Sequence, residues 1–487
     1  MGAAQPFEEA ADAAVSAEPV EVMALVAEEI GATASTEAAP KGTAPAAAAP
    51  AVAGPATPPA PQALADLGIE IEFLKGLLCK TIYRMALQRP SAIAEAMRLP
   101  PKLVTDLIEI LKEQRLIEAM GQQDGLVTAE MRWSLTGKGR EWALEALAQS
   151  AYVGACPVPM DQFARQAATQ SIAQEVLRRE GMEKVFRTLT LPESLIRRLG
   201  PAANSGTSML LYGPPGNGKS SIAEGLCRAY GAHVWLPHAL EVDGQVITLY
   251  DPAVHRALTG AEARAVGAGA DREDGKLRRG RGADPRYIPC KRPKLIAGGE
   301  LTIEMLDLAY SPVSRIYEAP LQLKAIGGIF VVDDFGRQRQ HPQELMNRLI
   351  VPMENRLDFL SLQSGRKFEV PFDGLLVFST NIPPSDLVDE AALRRLRYKI
   401  LVDSPDRAMF IRIFAETAAR AGLSLDEDLM THVLVDRYDG ERRKMQAFHP
   451  RFLCDQAHAI CAYEGIAPPR LSRDIVARAW ENLFPVD

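Results

Sequence analysis

Cysteine is scarce in this chain, with six among 487 residues at irregular spacing. So few in so long a chain exclude a disulfide framework and predict a reducing compartment. Long apolar runs are missing too: no stretch approaches the ~18 consecutive apolar residues of a membrane-crossing helix. The first residues lack the basic and then apolar regions of a secretory signal. Pro6 also stands where a myristoylation signal wants Ser or Thr. A strong charge of one sign is absent as well. The net charge of −7 gives no overall drive toward nucleic acid or an anionic membrane, so either contact would need a local basic patch. These absences predict a cytoplasmic protein, and a composition of 47% hydrophobic and 24% charged residues fits a globular one. The length suits roughly three domains.

Residues 1–66 are dominated by Ala, Pro and Glu, with tracts such as Ala44-Pro-Ala-Ala-Ala-Ala-Pro50. Such a segment buries too little apolar area to offset its ordering entropy, which predicts a disordered tail. Within it, Val20, Val22, Met23, Val26 and Ile30 mark a helix-compatible run, readable either as a partner-docking helix or as a transient one.

Residues 67–150 alternate helical and extended patterns. Helices are expected over Phe73–Leu87, Ala92–Met97, Lys102–Gln114 and Trp142–Leu147, and paired strands over Leu116–Met120 and Met131–Leu135. That order resembles a winged helix-turn-helix. A DNA reader should show a basic recognition helix, yet Asp106, Glu109 and Glu113 sit beside Lys102 and Lys112. Protein docking is therefore the expected use, with DNA contact the alternative.

From 155 to 402 apolar strands alternate with helices, which predicts an α/β core with a parallel sheet covered on both faces. The expected strands are Met209–Tyr212, His233–Leu236, Gly328–Val332, Leu375–Ser379 and Tyr398–Val402. Between the second and third, a hairpin is expected around Asp243-Gly244, then a polar loop to Pro293. Residues 403–487 read as a small helical bundle.

The chemistry concentrates in the core. Gly213-Pro214-Pro215-Gly216-Asn217-Gly218-Lys219-Ser220 follows an apolar strand pattern and opens a helical one at Ser221. This is the G-x-x-x-x-G-K-[ST] phosphate loop in its confirming context. Glycines let backbone N–H groups cradle phosphate oxygens at a helix N-terminus. Lys219 would reach the β- and γ-phosphates of ATP, and the Ser220 hydroxyl would sit on Mg²⁺. Gly327-Gly-Ile-Phe-Val-Val-Asp333-Asp334 is an apolar strand ending on two carboxylates. Asp333 is expected to hold Mg²⁺ through water, and Asp334 to orient and deprotonate the attacking water. A third strand ends on Asn381, whose amide could position that water. Arg394, Arg395 and Arg397 precede the last strand and read either as a solvated helix end or as an arginine finger completing a neighbouring subunit's site; Arg395 is the expected finger, with Arg397 or Arg394 assisting. Arg451 opens a helix of the bundle and is expected to contact the phosphates.

The set resembles an AAA+ ATPase over residues 155–487: Walker A at 213–220, Walker B at 329–334, sensor 1 at Asn381, finger near Arg395 and sensor 2 at Arg451. Gly298-Gly-Glu-Leu-Thr-Ile-Glu-Met-Leu-Asp-Leu, Tyr317-Glu-Ala-Pro-Leu-Gln-Leu-Lys, Asp333-Asp-Phe-Gly-Arg-Gln and Asp389-Glu-Ala-Ala-Leu-Arg-Arg-Leu-Arg-Tyr-Lys-Ile narrow it further. They resemble a bacterial group of predicted ATPases with chaperone activity, associated with Flp pilus assembly. The resemblance implies an AAA+ P-loop core with a helical lid, a homo-oligomeric ring (a hexamer) and a protein substrate, pilus- or secretion-related. Asp334 departs from the Glu found in many AAA+ proteins, and a shorter carboxylate predicts slow basal turnover. Leu357–Pro371 reads as a β-hairpin resembling the pre-sensor hairpin of MoxR-type chaperones, or else as an ordinary surface hairpin.

Two patterns have divided readings. Lys276, Arg278, Arg279, Arg281, Arg286, Lys291, Arg292 and Lys294 form a basic stretch, with Tyr287 and Ile288 as candidate gripping residues. It is either a solvated loop or a substrate contact in a ring pore. His449, Cys454, His458 and Cys461 have spacing compatible with a metal, but also with a buried helix face. Three functions follow: a chaperone-like remodeller of a protein partner, a nucleic-acid loader or remodeller, or a scaffold timed by nucleotide.

Overall fold

The computed structural model describes residues 56–121, 130–231, 233–266 and 282–485. It is a mixed α/β molecule organised around a five-stranded parallel sheet. The strands are β1 (Ser208–Tyr212), β2 (Lys294–Ala297), β3 (Gly328–Val332), β4 (Gly374–Thr380) and β5 (Tyr398–Leu401), in spatial order β5-β1-β4-β3-β2. The interior strand β3 is buried at every residue, because helices cover both faces and neither side of a Gly-Ile-Phe-Val-Val run can face water. Apolar clusters on the two faces, one around Phe330, Phe335 and Phe378 and the other around Ile329, Val331 and Ile222, clamp the sheet.

The second strand of this sheet differs from the expected His233–Leu236. That run forms Val234–Pro237, which pairs antiparallel with Tyr287–Cys290 in a separate ribbon. The place beside β3 is taken by Lys294–Ala297. Both runs are short and compatible with a strand, so periodicity alone could not choose between them. β2 is an edge strand that leaves Lys294 and Ile296 outward, and its sequence signal is correspondingly weak.

The residues between the first and third core strands add a second sheet. Ala239–Val242 and Gln245–Thr248 form the expected hairpin across Asp243-Gly244. They are joined by Val158–Pro159 on one side, and by Ile316–Glu318 and then Ala309–Ser311 on the other. Leu357–Ser361 and Lys367–Pro371 pair as a hairpin whose turn residue Arg366 reaches Asp243 at 2.6 Å.

Residues 67–156 share one apolar core, built from Ile71–Met85, Pro90–Met97, Pro101–Glu113 and the strands Ile117–Gly121 and Arg132–Leu135. The chain before it departs from expectation. Residues 56–66 were to close a disordered tail, but Asp284 N donates to Pro58 O at 2.8 Å and Gln166 Nε2 to Ala56 O at 2.8 Å. Leu64–Leu67 is a short helix. Backbone hydrogen bonds, which composition does not register, tie this stretch down. The rest of the tail, including Val20–Ile30, lies outside the described residues.

The C-terminal bundle contains Arg407–Arg420, His449–Glu464 and Arg473–Leu483 around a core of Phe410, Phe414, Tyr438 and Trp480. Among the described residues no helix is long and apolar enough to cross a membrane.

Candidate functional site

The glycine-rich loop runs from the end of β1 into helix α1 (Lys219–Ala229). Gly213 has φ +139, and a Cβ there would stand 2.3 Å from Val402 O, so the chain can turn beside β5 only without a side chain. Gly218 caps α1 at φ +83, in the left-handed region that glycine enters without strain. The result is a concave turn ending at a helix N-terminus, a geometry that favours anions.

Three strands deliver polar groups to the same end of the sheet. Lys219 is buried at the base of the loop, and its Nζ donates to Gly213 O and Pro214 O at 2.9 Å and to Asn381 Oδ1 at 2.6 Å. Burial pulls the Lys219 ammonium below its ordinary pKa, while the Asp333 and Asp334 carboxylates pull the other way. Ser220 Oγ donates to Asp333 Oδ2 at 2.9 Å. Asn381 Nδ2 donates to Asp334 Oδ1 at 3.3 Å, so one amide bridges the loop lysine and the second carboxylate. Asp334 takes φ +47, and Phe335 N anchors to Ser379 O at 2.7 Å just beyond it. The turn thus directs Asp334 toward the cleft while Phe335 enters the core.

The cleft encloses about 870 Å³ between the sheet end and the C-terminal bundle. Pro215, Gly216, Asn217, Gly218, Lys219, Ser220 and Ser221 line it together with Asp333, Asp334, Asn381 and Arg451. Arg451 stands in the first turn of the bundle helix His449–Glu464 and is largely exposed, with Asp455 3.7 Å away. Arg395 is not in this cleft. It lies at the other end of the sheet with Arg394 and Arg397, in a separate cavity of about 480 Å³ that also contains Thr207 and Ser208.

Asn217, expected in the loop, has a second role, and several further cleft residues carry no expectation from the sequence. Asn217 is buried and joins the loop to the bundle, accepting from Ala447 N at 3.0 Å and donating to Ser404 Oγ at 3.4 Å. Arg337, three residues beyond Asp334, lines the wall, as do Thr188–Leu191 and Arg420. Thr190 Oγ1 donates to Glu416 at 2.6 Å and Arg420 Nη1 to Thr188 O at 3.2 Å, fastening that wall to the bundle. Arg337 had a usable signal, its place just after the acidic strand; the others are brought in only by folding.

Within the basic stretch 276–294, Arg286, Tyr287 and Arg292 turn inward, while Lys291 and Lys294 stay outward, paired with Glu262 at 3.5 Å and Glu224 at 2.7 Å. Arg286 is 2% exposed and clamps Asp284 at 2.8 Å; Arg292 is buried against Glu175. Tyr287 is buried in the ribbon with Val234–Pro237, which corrects the expectation that it grips a substrate. Lys276, Arg278, Arg279 and Arg281 lie outside the described residues.

His449, Cys454, His458 and Cys461 do not converge on a metal. Cys454 and Cys461 are buried in the bundle core, and burial raises the Cys454 thiol to about 12. His449 Nδ1 pairs with the Tyr438 hydroxyl at 2.7 Å, and His458 Nε2 with Ala421 O at 2.9 Å. Among the described residues no group of three or more His, Cys, Asp or Glu could hold a metal ion.

Comparison with known proteins adds little. No curated protein matches the chain. Among solved structures, a crystal structure of NtrX from Brucella abortus is similar, at 12% identity and a TM-score of 0.33. That match covers 70% of this chain and 66% of that one, so just under two thirds of NtrX's length is spanned. A family model described as a domain of unknown function (DUF8689) matches residues 406–482, the helical bundle that walls the cleft.

Proposed function

We propose that this chain is a Mg²⁺-dependent ATPase of the AAA+ class that works as a homo-oligomeric ring, a hexamer, and remodels a protein partner. The observation that carries the reading is the convergence of Lys219, Asp333, Asp334 and Asn381 from three adjacent parallel strands on one glycine-lined cleft. The donor set suits the metal: Ser220 Oγ and Asp333 Oδ2 are hard oxygens side by side, the kind Mg²⁺ takes together with water and phosphate oxygens. When bound, Mg²⁺ supplies charge neutralisation at the phosphates.

The protein's own groups divide the remaining work. Backbone N–H groups of the Gly216–Ser220 loop cradle the phosphates. Lys219 exchanges its contacts with Gly213, Pro214 and Asn381 for phosphate oxygens. Asp334 takes the proton of the attacking water, which Asn381 holds in line. Arg451 enters from the bundle. Arg395 completes the site of a neighbouring copy, because about five residues of β1, roughly 16 Å, separate it from its own loop.

Residues 67–150 are the proposed recruitment domain. The outward side of Pro101–Glu113 supports a protein partner over DNA, since Lys112 is paired with Glu109 at 3.2 Å and Lys102 donates to Gln62 O at 3.4 Å. The partner proposed from the sequence resemblance is a pilus- or secretion-related protein. The test is ATP turnover by the purified full chain with and without Mg²⁺, over a range of protein concentrations. Expected are metal-dependent hydrolysis and a specific activity that rises as copies associate. Full activity in a dilute monomer would remove the ring from the proposal, and no hydrolysis at any concentration would remove the ATPase.

A further inference from the structure

The cavity at the far end of the sheet holds three arginines, and only one of them is held in a defined orientation by a second element. Arg395 ends helix α3 (Glu390–Arg395) and packs against helix α2 (Pro342–Asn355). Its Nε donates to Glu354 Oε1 of α2 at 3.0 Å, and its Nη1 to Ala391 O one turn back at 3.0 Å. Two acceptors on two helices define the plane of the guanidinium. Nη2 makes no hydrogen bond among the described residues, so that edge of the fork is left for an outside acceptor. Arg394 differs: its Nη2 folds back on Glu390 of its own helix at 2.6 Å, and its side chain is 75% exposed against 36% for Arg395, so that pair fixes less.

The same two helices are joined again at their other ends. Gln343 Nε2 donates to Asp389 Oδ2 at 3.2 Å, and Asp389 N to Gln343 Oε1 at 3.1 Å. Asp389 also caps α3 by accepting from Ala392 N at 2.7 Å. α3 is therefore fastened at its start by Gln343 and at its end by Glu354. Helix α2 begins eight residues beyond Asp334 and carries Glu354 at its far end, beside Arg395.

We propose that Glu354 is the positioning residue of the arginine finger: its carboxylate holds Arg395 in the orientation from which Nη2 meets the phosphate bound by a neighbouring copy. This rests on the ATPase reading above. A long arginine loses substantial rotamer freedom on engaging a ligand, and a second-helix acceptor removes part of that loss beforehand. Misplacement by about 1 Å can lower a rate ~100-fold, so loss of this acceptor is felt although Glu354 touches no substrate.

The experiment compares Glu354→Ala, Glu354→Gln, Arg395→Ala and the double Glu354→Ala/Arg395→Ala in steady-state ATP turnover, with ring size followed by light scattering. Glu354→Ala is expected to lower kcat by roughly 10- to 100-fold with KM and nucleotide affinity unchanged, because the cleft of its own subunit is at the other end of the sheet. Glu354→Gln keeps an oxygen acceptor for Nε and restores kcat to within about 3-fold. The double variant is expected to be no slower than Arg395→Ala alone. Wild-type kcat in Glu354→Ala, a changed KM, or additive losses in the double variant each overturn the proposal. Loss of the ring in both Glu354 variants overturns it too, since an interface role would then suffice. Failure of the underlying reading looks different: the wild type would not hydrolyse ATP, or Arg395→Ala would match it.

Discussion

The two ends of the parallel sheet carry opposite chemistry. At the strands' C-terminal end, β1, β3 and β4 deliver a glycine cradle, Lys219, two carboxylates and Asn381 to one cleft. At the other end, Thr207 and Ser208 open β1 beside Arg394, Arg395 and Arg397. The first end gathers the groups that the proposed ATPase would use on a metal and water, and the second gathers cations. Since β5 runs parallel to β1, a residue just before β5 must emerge opposite the loop that follows β1. A single chain therefore keeps the two ends apart, and under the proposed ring the cleft would be one half of a site.

Variants aimed at the two ends separate them. The largest effect is expected for Arg395→Ala, a loss of about 10³-fold or more in turnover with nucleotide binding retained. Asp334→Asn should lower turnover by ~10²- to 10⁴-fold, again with binding kept, as read by fluorescent-nucleotide titration. Mixing these two inactive variants tests the comparison most directly. In a random equal mixture about a quarter of interfaces would pair an intact Asp334 with an intact Arg395, so measurable activity should return. Activity that stays at zero in rings shown to be mixed would break the two-ended site.

Smaller effects concern stability. Arg286→Ala leaves Asp284 as a buried unpaired charge and should lower stability by about 3–5 kcal/mol in denaturant melts. Arg397→Ala, at the exposed end, should stay within about 0.5 kcal/mol. Stability should also depend on pH in the bundle. Burial lowers His449 to about 4, below its ordinary 6.5, so the folded state favours neutral imidazole. That contribution is fully present above pH 6.5 and is lost as pH falls toward 4. His449→Gln should flatten this part of a plot of Tm against pH.

Much of the candidate site was legible because its residues are close in sequence or end a strand. The loop at 213–220 is contiguous, and Asp333, Asp334 and Asn381 each end a short, largely apolar run of the kind that suits a buried strand. Arg395 was legible as a cation before the last strand, but not its support, since Glu354 is 41 residues away. The basic stretch misled for a physical reason. Charge in sequence says nothing about pairing: the buried Arg286 finds a buried carboxylate, Asp284, and the buried Arg292 a half-buried one, Glu175. The misplaced second strand has a similar origin: Val234–Pro237 is the more apolar run, yet the edge position beside β3 went to Lys294–Ala297.

The sequence by itself determined the glycine-rich loop, the acidic strand end and the alternation that makes the sheet parallel. Each of these is local: glycines for left-handed turns, a helix start after them, and apolar runs that must be covered on both faces. Tertiary structure alone decided which end of the sheet each charge occupies, that Asn381 bridges Lys219 and Asp334, that Asn217 links loop to bundle, and that Arg286 and Tyr287 turn inward. Those outcomes depend on strand order and on partners far along the chain, and no local pattern encodes either.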